Sequence, residues 1–246
     1  NIVITTHRNP DGDAYGSSLG LYLFLKKSGH RVTVVSPNDC PDFLKWLPAQ
    51  DQIELFEPAP DRGKEILAKA DIVFTLDFNA FHRLGEAMEV AMKEISPVFV
   101  MLDRTQQCDD FAEFQYVDSS MSSTSEMVYQ FIDKIGRLDL IDQEIASCLY
   151  GGFLTDTGSF SFPATRSHTH RVVANLLDKG ANNASIYNKI HDVNTYNRMQ
   201  LLGRALDNMV VLDRFYTAYI TLSQNELNRY NFQRGDTEGF VNLPMC

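Results

Sequence analysis

Residues 2–29, IVITTHRNPDGDAYGSSLGLYLFLKKSG, decide the fold. Ile2–Thr6 is an apolar, β-branched run of strand length. Gly12 and Gly16 punctuate a polar loop, and Ser17–Ser28 reads as a helix that Gly29 stops. The same alternation continues downstream. Arg31–Ser36 reads as a strand, Ile53–Phe56 as a short further strand, Lys64–Lys69 as a short helix, and Asp71–Leu76 as a strand. Arg83–Lys93 follows as a helix and Pro97–Leu102 as a strand. Short β-branched runs alternating with helices predict an α/β fold, with a mostly parallel sheet and helices on both faces.

The second half of the chain is helical at first. Met127, Phe131 and Ile135 repeat every four residues, flanked by Val128 and Ile132, which marks an amphipathic helix. Ser123-Thr124-Ser125-Glu126 supplies a capping box at its start. Glu144–Leu154 reads as a buried helix, and His168–Lys179 as another, ended by Gly180. From Asn183 to Leu212 the pattern is helical and more polar, as in a linker. Phe215–Leu222 then alternates like a strand, and Gln224–Asn231 starts a helix. These readings divide the chain into a main domain over 1–182, a helical linker over 183–212, and the start of a smaller α/β domain over 213–246. The 246 residues fit one to two domains. The chain opens in an apolar strand without an initiator Met and stops in mid-pattern, as a fragment trimmed at both ends would.

Hydrophobic residues make up 44% and charged residues 22%, the composition of a folded globular chain rather than a disordered or fibrous one. No apolar run approaches the ~18 residues of a membrane span. A formal net charge of −10 argues against long duplex DNA or an anionic lipid surface as partner, and leaves room for a small phosphorylated substrate. Cys40, Cys108, Cys148 and Cys246 are far apart, with no C-x-x-C pair. That spacing suits neither zinc nor a disulfide framework, and fits a reducing cytoplasm.

Three strands end on acidic residues. Ile2–Thr6 leads to His7, Asp11 and Asp13; Asp71–Leu76 leads to Asp77; Pro97–Leu102 leads to Asp103. Ligands of open parallel sheets bind at those carboxyl ends, so the three termini point to one shared site. Asp156, in Leu154-Thr155-Asp156-Thr157-Gly158, can join it. A lone Asp after a strand is ordinarily a cap or turn residue, and Asp13 can cap the helix after it. Clustered carboxylates, however, need cations or protons to coexist. Oxygen ligands with one imidazole suit Mn²⁺ or Mg²⁺.

The string His7-Arg8-Asn9-Pro10-Asp11-Gly12-Asp13-Ala14 resembles the first motif of the DHH phosphoesterases, H-x-x-P-D-G-D-A. Leu76-Asp77 is similar to the second motif, Leu102-Asp103 to the start of the third, and Thr155–Phe160 to the fourth. Ser122–Glu126 (SSTSE) and Gly235–Gly239 (GDTEG) resemble the branch that degrades very short RNA and dephosphorylates 3′-phosphoadenosine 5′-phosphate. The resemblance implies a DHH domain joined to a smaller DHHA1-like domain, here truncated. It implies one Mn²⁺ on His7 and Asp11, a second on Asp13 and Asp156, and Asp77 between them. Catalytic roles fall to Asp77 and Asp103, and substrate contacts to Arg104, Ser123 and His170.

The third motif departs from the family. Asp-His-His is replaced by Asp103-Arg104-Thr105. Arginine stays protonated and has no lone pair for a metal, so the second metal site is expected to be weak or empty. Arg104 either contacts phosphate or points to solvent. The glycine-rich, His-containing motif that ends the family's small domain does not occur before Cys246. The reading is a Mn²⁺-dependent phosphoesterase for short RNA or small nucleotides, with Mg²⁺ an alternative ion and a homodimer compatible with it. The competing reading is a nucleotide-binding relative with weak or no catalysis.

Overall fold

The computed structural model describes residues 1–105, 107–191, 195–233, 235–237 and 239–245. Gln106, the segment 192–194 of the expected linker, Glu238 of the GDTEG string and Cys246 lie outside the described residues. By internal contacts the chain forms two units, Asn1–Cys40 with Leu44–Ile190, and Pro41–Phe43 with His191–Cys246.

The first unit is built on six parallel strands: β1 (Ile2–Thr6), β2 (Val32–Ser36), β3 (Glu54–Leu55), β4 (Ile72–Leu76), β5 (Val98–Asp103) and β6 (Phe114–Val117). Their order is β3-β2-β1-β4-β5-β6. The expected α/β class is borne out. Central strands are buried on both faces, and alternate residues serve different layers. Val3, Val35, Val73, Phe99 and Met101 pack with Leu67 of helix α2 (Pro60–Ala68) and with Met88, Ala91 and Met92 of α3 (Glu86–Lys93). The opposite face is covered by α1 (Gly12–Lys27) and α4 (Thr124–Lys134); α5 (Gln143–Asp156) packs on both, and α6 (Ser167–Asp178) on α5. Helix α7 (Asn183–His191) follows.

Several expected boundaries are corrected. Helix α1 starts at Gly12, not Ser17, so Gly12 and Gly16 belong to the helix rather than to a loop. A Cβ on Gly12 would collide with the Thr155 side chain, and one on Gly16 would sit 2.6 Å from the Cys148 carbonyl. These positions are glycine because α5 lies directly against them. Helix α2 starts four residues before Lys64, because Pro60 fits the first helical turn. Helix α3 begins at Glu86 instead of Arg83: Phe81–Leu84 is a 3₁₀ turn, and Gly85 at φ 83° separates the two. Strand β6 was not anticipated. Phe114 and Val117 are exposed, so this edge strand lacks an apolar pattern.

In the second unit, α8 (Tyr196–Asp207) precedes an antiparallel pair, β7 (Val210–Leu212) and β8 (Thr217–Tyr219), and then α9 (Gln224–Arg229). The strand expected over Phe215–Leu222 is shorter, because Tyr216 is left-handed at φ 48° and ends a 3₁₀ turn. Leu201, Ala205 and Phe240 form the core of this unit. Among the described residues, no helix is long and apolar enough to cross a membrane.

Candidate functional site

The winding of the sheet reverses between β1 and β4, where the connections leave in opposite directions along the sheet and open a crevice at the strand ends. His7 follows β1 directly. Asp11 is the N-cap of α1, its Oδ1 accepting the backbone N–H groups of Asp13 and Ala14, each at 3.0 Å. Asp13, expected as a possible cap, lies instead within the first turn. Asp77 follows β4 in the left-handed region, at φ 65°. Its backbone N–H donates to the Leu102 carbonyl at 3.2 Å. That conformation costs a non-glycine residue roughly 1–2 kcal/mol. Such strain persists where the surroundings over-determine the geometry, typically at ligand sites.

One potential ligand atom from each of His7, Asp11 and Asp77 lies within 4.8 Å of the other two. His7 Nδ1 is 2.9 Å from the Arg8 carbonyl and therefore acts as the donor in the neutral ring. The lone pair then sits on Nε2, 3.5 Å from Asp77 Oδ2. A backbone carbonyl anchoring the far nitrogen is the usual way a metal-ligating imidazole is oriented.

The electrostatics are those of crowded anions. Burial acts to lower the His7 pKa, but Asp77 and Asp11 outweigh it and the net shift is upward. Burial and Asp77 raise Asp11 and Asp103. Burial, Asp77 and Asp156 raise Asp13 well above its ordinary value. Asp156 is raised to about 7 by burial, with Arg104 pulling down and Asp77 and Asp11 pushing up. Among the described residues, Asp103 Oδ2 has no hydrogen-bond partner although it is buried. Hard oxygens, one oriented imidazole and mutually raised carboxyls fit a hard divalent cation.

Asp156 closes α5 at the same crevice. Arg104 Nη2 lies 2.7 Å from Asp156 Oδ2, so an ion pair takes up a carboxylate that the family resemblance assigns to a second metal. His7, Asp11, Asp77, Arg83, Arg104 and Asp156 line one cleft of about 360 Å³. Asp13 is not in that wall. It is 1% exposed, and its two oxygens accept the N–H groups of Thr124 (2.6 Å) and Ser125 (2.9 Å) at the start of α4. Asp103 is buried too, its Oδ1 accepting the Thr105 hydroxyl at 3.2 Å.

The two remaining sequence candidates stand away from the cleft wall. Ser123 is the buried N-cap of α4, its Oγ accepting the Glu126 N–H at 3.0 Å. His170 is exposed on α6, its ring 5.9 Å from that of Phe160. The capping box is only half formed. The Glu126 carboxylate accepts the Ser122 N–H (2.8 Å) and hydroxyl (2.7 Å) instead of the N-cap amide. Sequence reasoning missed Arg83, whose place in the cleft follows from the 3₁₀ turn after Asp77. It also missed Thr124, whose hydroxyl donates to Asp77 Oδ1 at 2.9 Å.

Residues 1–153 match the DHH family, N-terminal domain. The bifunctional oligoribonuclease and PAP phosphatase NrnA of Thermus thermophilus is 34% identical over 189 residues, 77% of this chain and 53% of the relative. The chain thus spans about half the length of that relative. A Streptococcus mutans protein named as a probable bifunctional oligoribonuclease and PAP phosphatase NrnA is 28% identical over 99% of this chain and 73% of its own length. The crystal structure of an exopolyphosphatase-related protein from Bacteroides fragilis superposes with a TM-score of 0.96 at 37% identity. It covers 100% of this chain and 72% of that one.

Proposed function

Because the chain belongs to the DHH family, we propose that it hydrolyses phosphoester bonds in short oligoribonucleotides and nucleotide 3′-phosphates, using one divalent cation held by His7, Asp11 and Asp77. The observation that carries this reading is the convergence of those three groups with the Arg104–Asp156 ion pair in one cleft. The names of the Thermus and Streptococcus relatives support the substrate class. The carboxylate-rich donor set supports Mn²⁺, with Mg²⁺ as the alternative.

In the reaction, water oxygen joins phosphorus while the ribose oxygen departs and takes up a proton. A cation held by His7, Asp11 and Asp77 would supply Lewis acidity and lower the pKa of water toward neutrality. The chain's own groups do the rest. The Arg8 carbonyl fixes the His7 tautomer. Arg104 is permanently charged and offers planar N–H groups suited to phosphate oxygens, and its pairing with Asp156 places that charge in the cleft. Arg83 adds a second guanidinium to the same wall. Asp103 is a buried carboxylate in electrostatic contact with Asp77.

The Arg104–Asp156 pair also favours a second reading. If catalysis needs a second cation on Asp156, this chain binds nucleotides with little turnover. Release of mononucleotide from a diribonucleotide in Mn²⁺ separates the two, run beside an Arg104→His/Thr105→His variant at equal metal. Release by the parent, abolished in Asp77→Ala, supports hydrolysis with one cation. Release by the His-substituted variant alone supports the binding reading, and no release by either overturns the hydrolase assignment.

A further inference from the structure

We propose that Thr124 is the positioning residue for Asp77, so that the SSTSE segment serves the cation site through one hydroxyl rather than through substrate contact. The proposal rests on the reading of His7, Asp11 and Asp77 as the cation's holders. In Ser122–Glu126, three of the polar side chains have local tasks. Ser123 caps α4, while Glu126 binds Ser122 and accepts from Thr169 at 3.3 Å. Because Ser123 satisfies the cap, the hydroxyl of Thr124 is free to point away from its own helix. It donates to Asp77 Oδ1 at 2.9 Å, forty-seven residues away in sequence.

Thr124 is fully buried, at 0% exposure, so this hydroxyl does not exchange its partner for bulk water. Its backbone N–H is fixed as well, donating to Asp13 Oδ2. One residue therefore ties Asp77 of the site and the buried Asp13 to the first turn of α4. The Thr124 hydroxyl holds Oδ1 and leaves Oδ2 on the side of His7 Nε2, 3.5 Å away. An oxygen that accepts one hydrogen bond keeps a lone pair for a cation, so the contact orients Asp77 without occupying it. Outer-shell hydrogen bonds of this kind typically affect metal affinity by ~10–100-fold when lost.

The test is calorimetric titration of Mn²⁺ into the metal-free chain and its Thr124→Val and Thr124→Ser variants, with melting of each metal-free protein as the folding control. Thr124→Val keeps the shape and loses the donor, and Thr124→Ser keeps the donor. We expect Thr124→Val to weaken Mn²⁺ binding by ~10-fold or more, and Thr124→Ser to bind within a few-fold of the parent. If Thr124→Val unfolds, Thr124→Ala takes its place with the same expectation. Equal affinity for parent and Thr124→Val overturns the proposal alone, as does a loss in Thr124→Ser as large as that in Thr124→Val. A parent that binds no Mn²⁺ overturns the cation-site reading and the proposal together.

Discussion

Arg104 Nη2 sits 2.7 Å from the Asp156 carboxylate, and on the reading proposed above this pair limits the cleft to one cation. A guanidinium cannot give up its proton to become a ligand. It neutralises Asp156 in place, which a second divalent ion would otherwise do. Replacing Arg104 with His should restore a ligand and let Asp156 turn to metal. Mn²⁺ bound per Arg104→His chain is then expected to rise from about one toward two, measured by equilibrium dialysis; an unchanged count contradicts this role for Arg104. At this scale much was legible in the sequence. That His7, Asp11 and Asp77 lie together could be read from strand ends and the H-x-x-P-D-G-D-A string, which point to all three. That Asp13 accepts two backbone amides of α4 was not legible, because those amides lie more than a hundred residues away in sequence. Thr124 escaped notice because its partner lies on another element.

Helices α1 and α5 set the distance between the first and fourth motifs, and their contact is made of glycines. Gly16 leaves no room for a methyl, since a Cβ would stand 2.6 Å from the Cys148 carbonyl and 2.8 Å from the Gly152 nitrogen. Both obstacles are backbone, so a Gly16→Ala change must push the helices apart. It should destabilise the fold by roughly 1–3 kcal/mol, the usual cost of overpacking, and weaken cation binding by displacing Asp11, the N-cap of α1, from His7 and Asp77. Urea unfolding reads the first effect, and a midpoint equal to the parent's contradicts the packing argument. The sequence showed these glycines but not their purpose. Glycine lowers helix propensity, so a local reading places Gly12 and Gly16 in a loop, and only the approach of α5 explains them. Strand β6 was illegible for a related reason: it pairs through its backbone along β5 and buries little apolar surface.

Across the whole molecule the cleft makes stability depend on pH in an unusual direction. His7, Asp11, Asp13, Asp103 and Asp156 all have raised pKa values, Asp156 at about 7. A raised group holds more protons folded than unfolded, so its stabilisation is present at low pH and is lost as pH rises through the folded value. Metal-free protein should therefore lose melting temperature between about pH 5 and 7.5, where the acids with lowered values, such as Glu54 and Asp142, stay ionised in both states. Saturating Mn²⁺ should flatten that slope by replacing the protons and raise the melting temperature by mass action. A metal-free melting temperature that climbs across this range contradicts the crowded-anion cleft. The α/β class was readable from alternating strands and helices, and the place of the site from where those strands end. What the sequence could not supply is the strand order that puts β1 beside β4, since neighbours in a parallel sheet are not neighbours in the chain. The most direct measurement is Mn²⁺ bound per chain at saturation, by dialysis and elemental analysis, for the parent and Asp77→Ala. About one ion per chain in the parent and none in the variant is the predicted result; two ions in the parent, or one that survives Asp77→Ala, contradicts a single cation held by His7, Asp11 and Asp77.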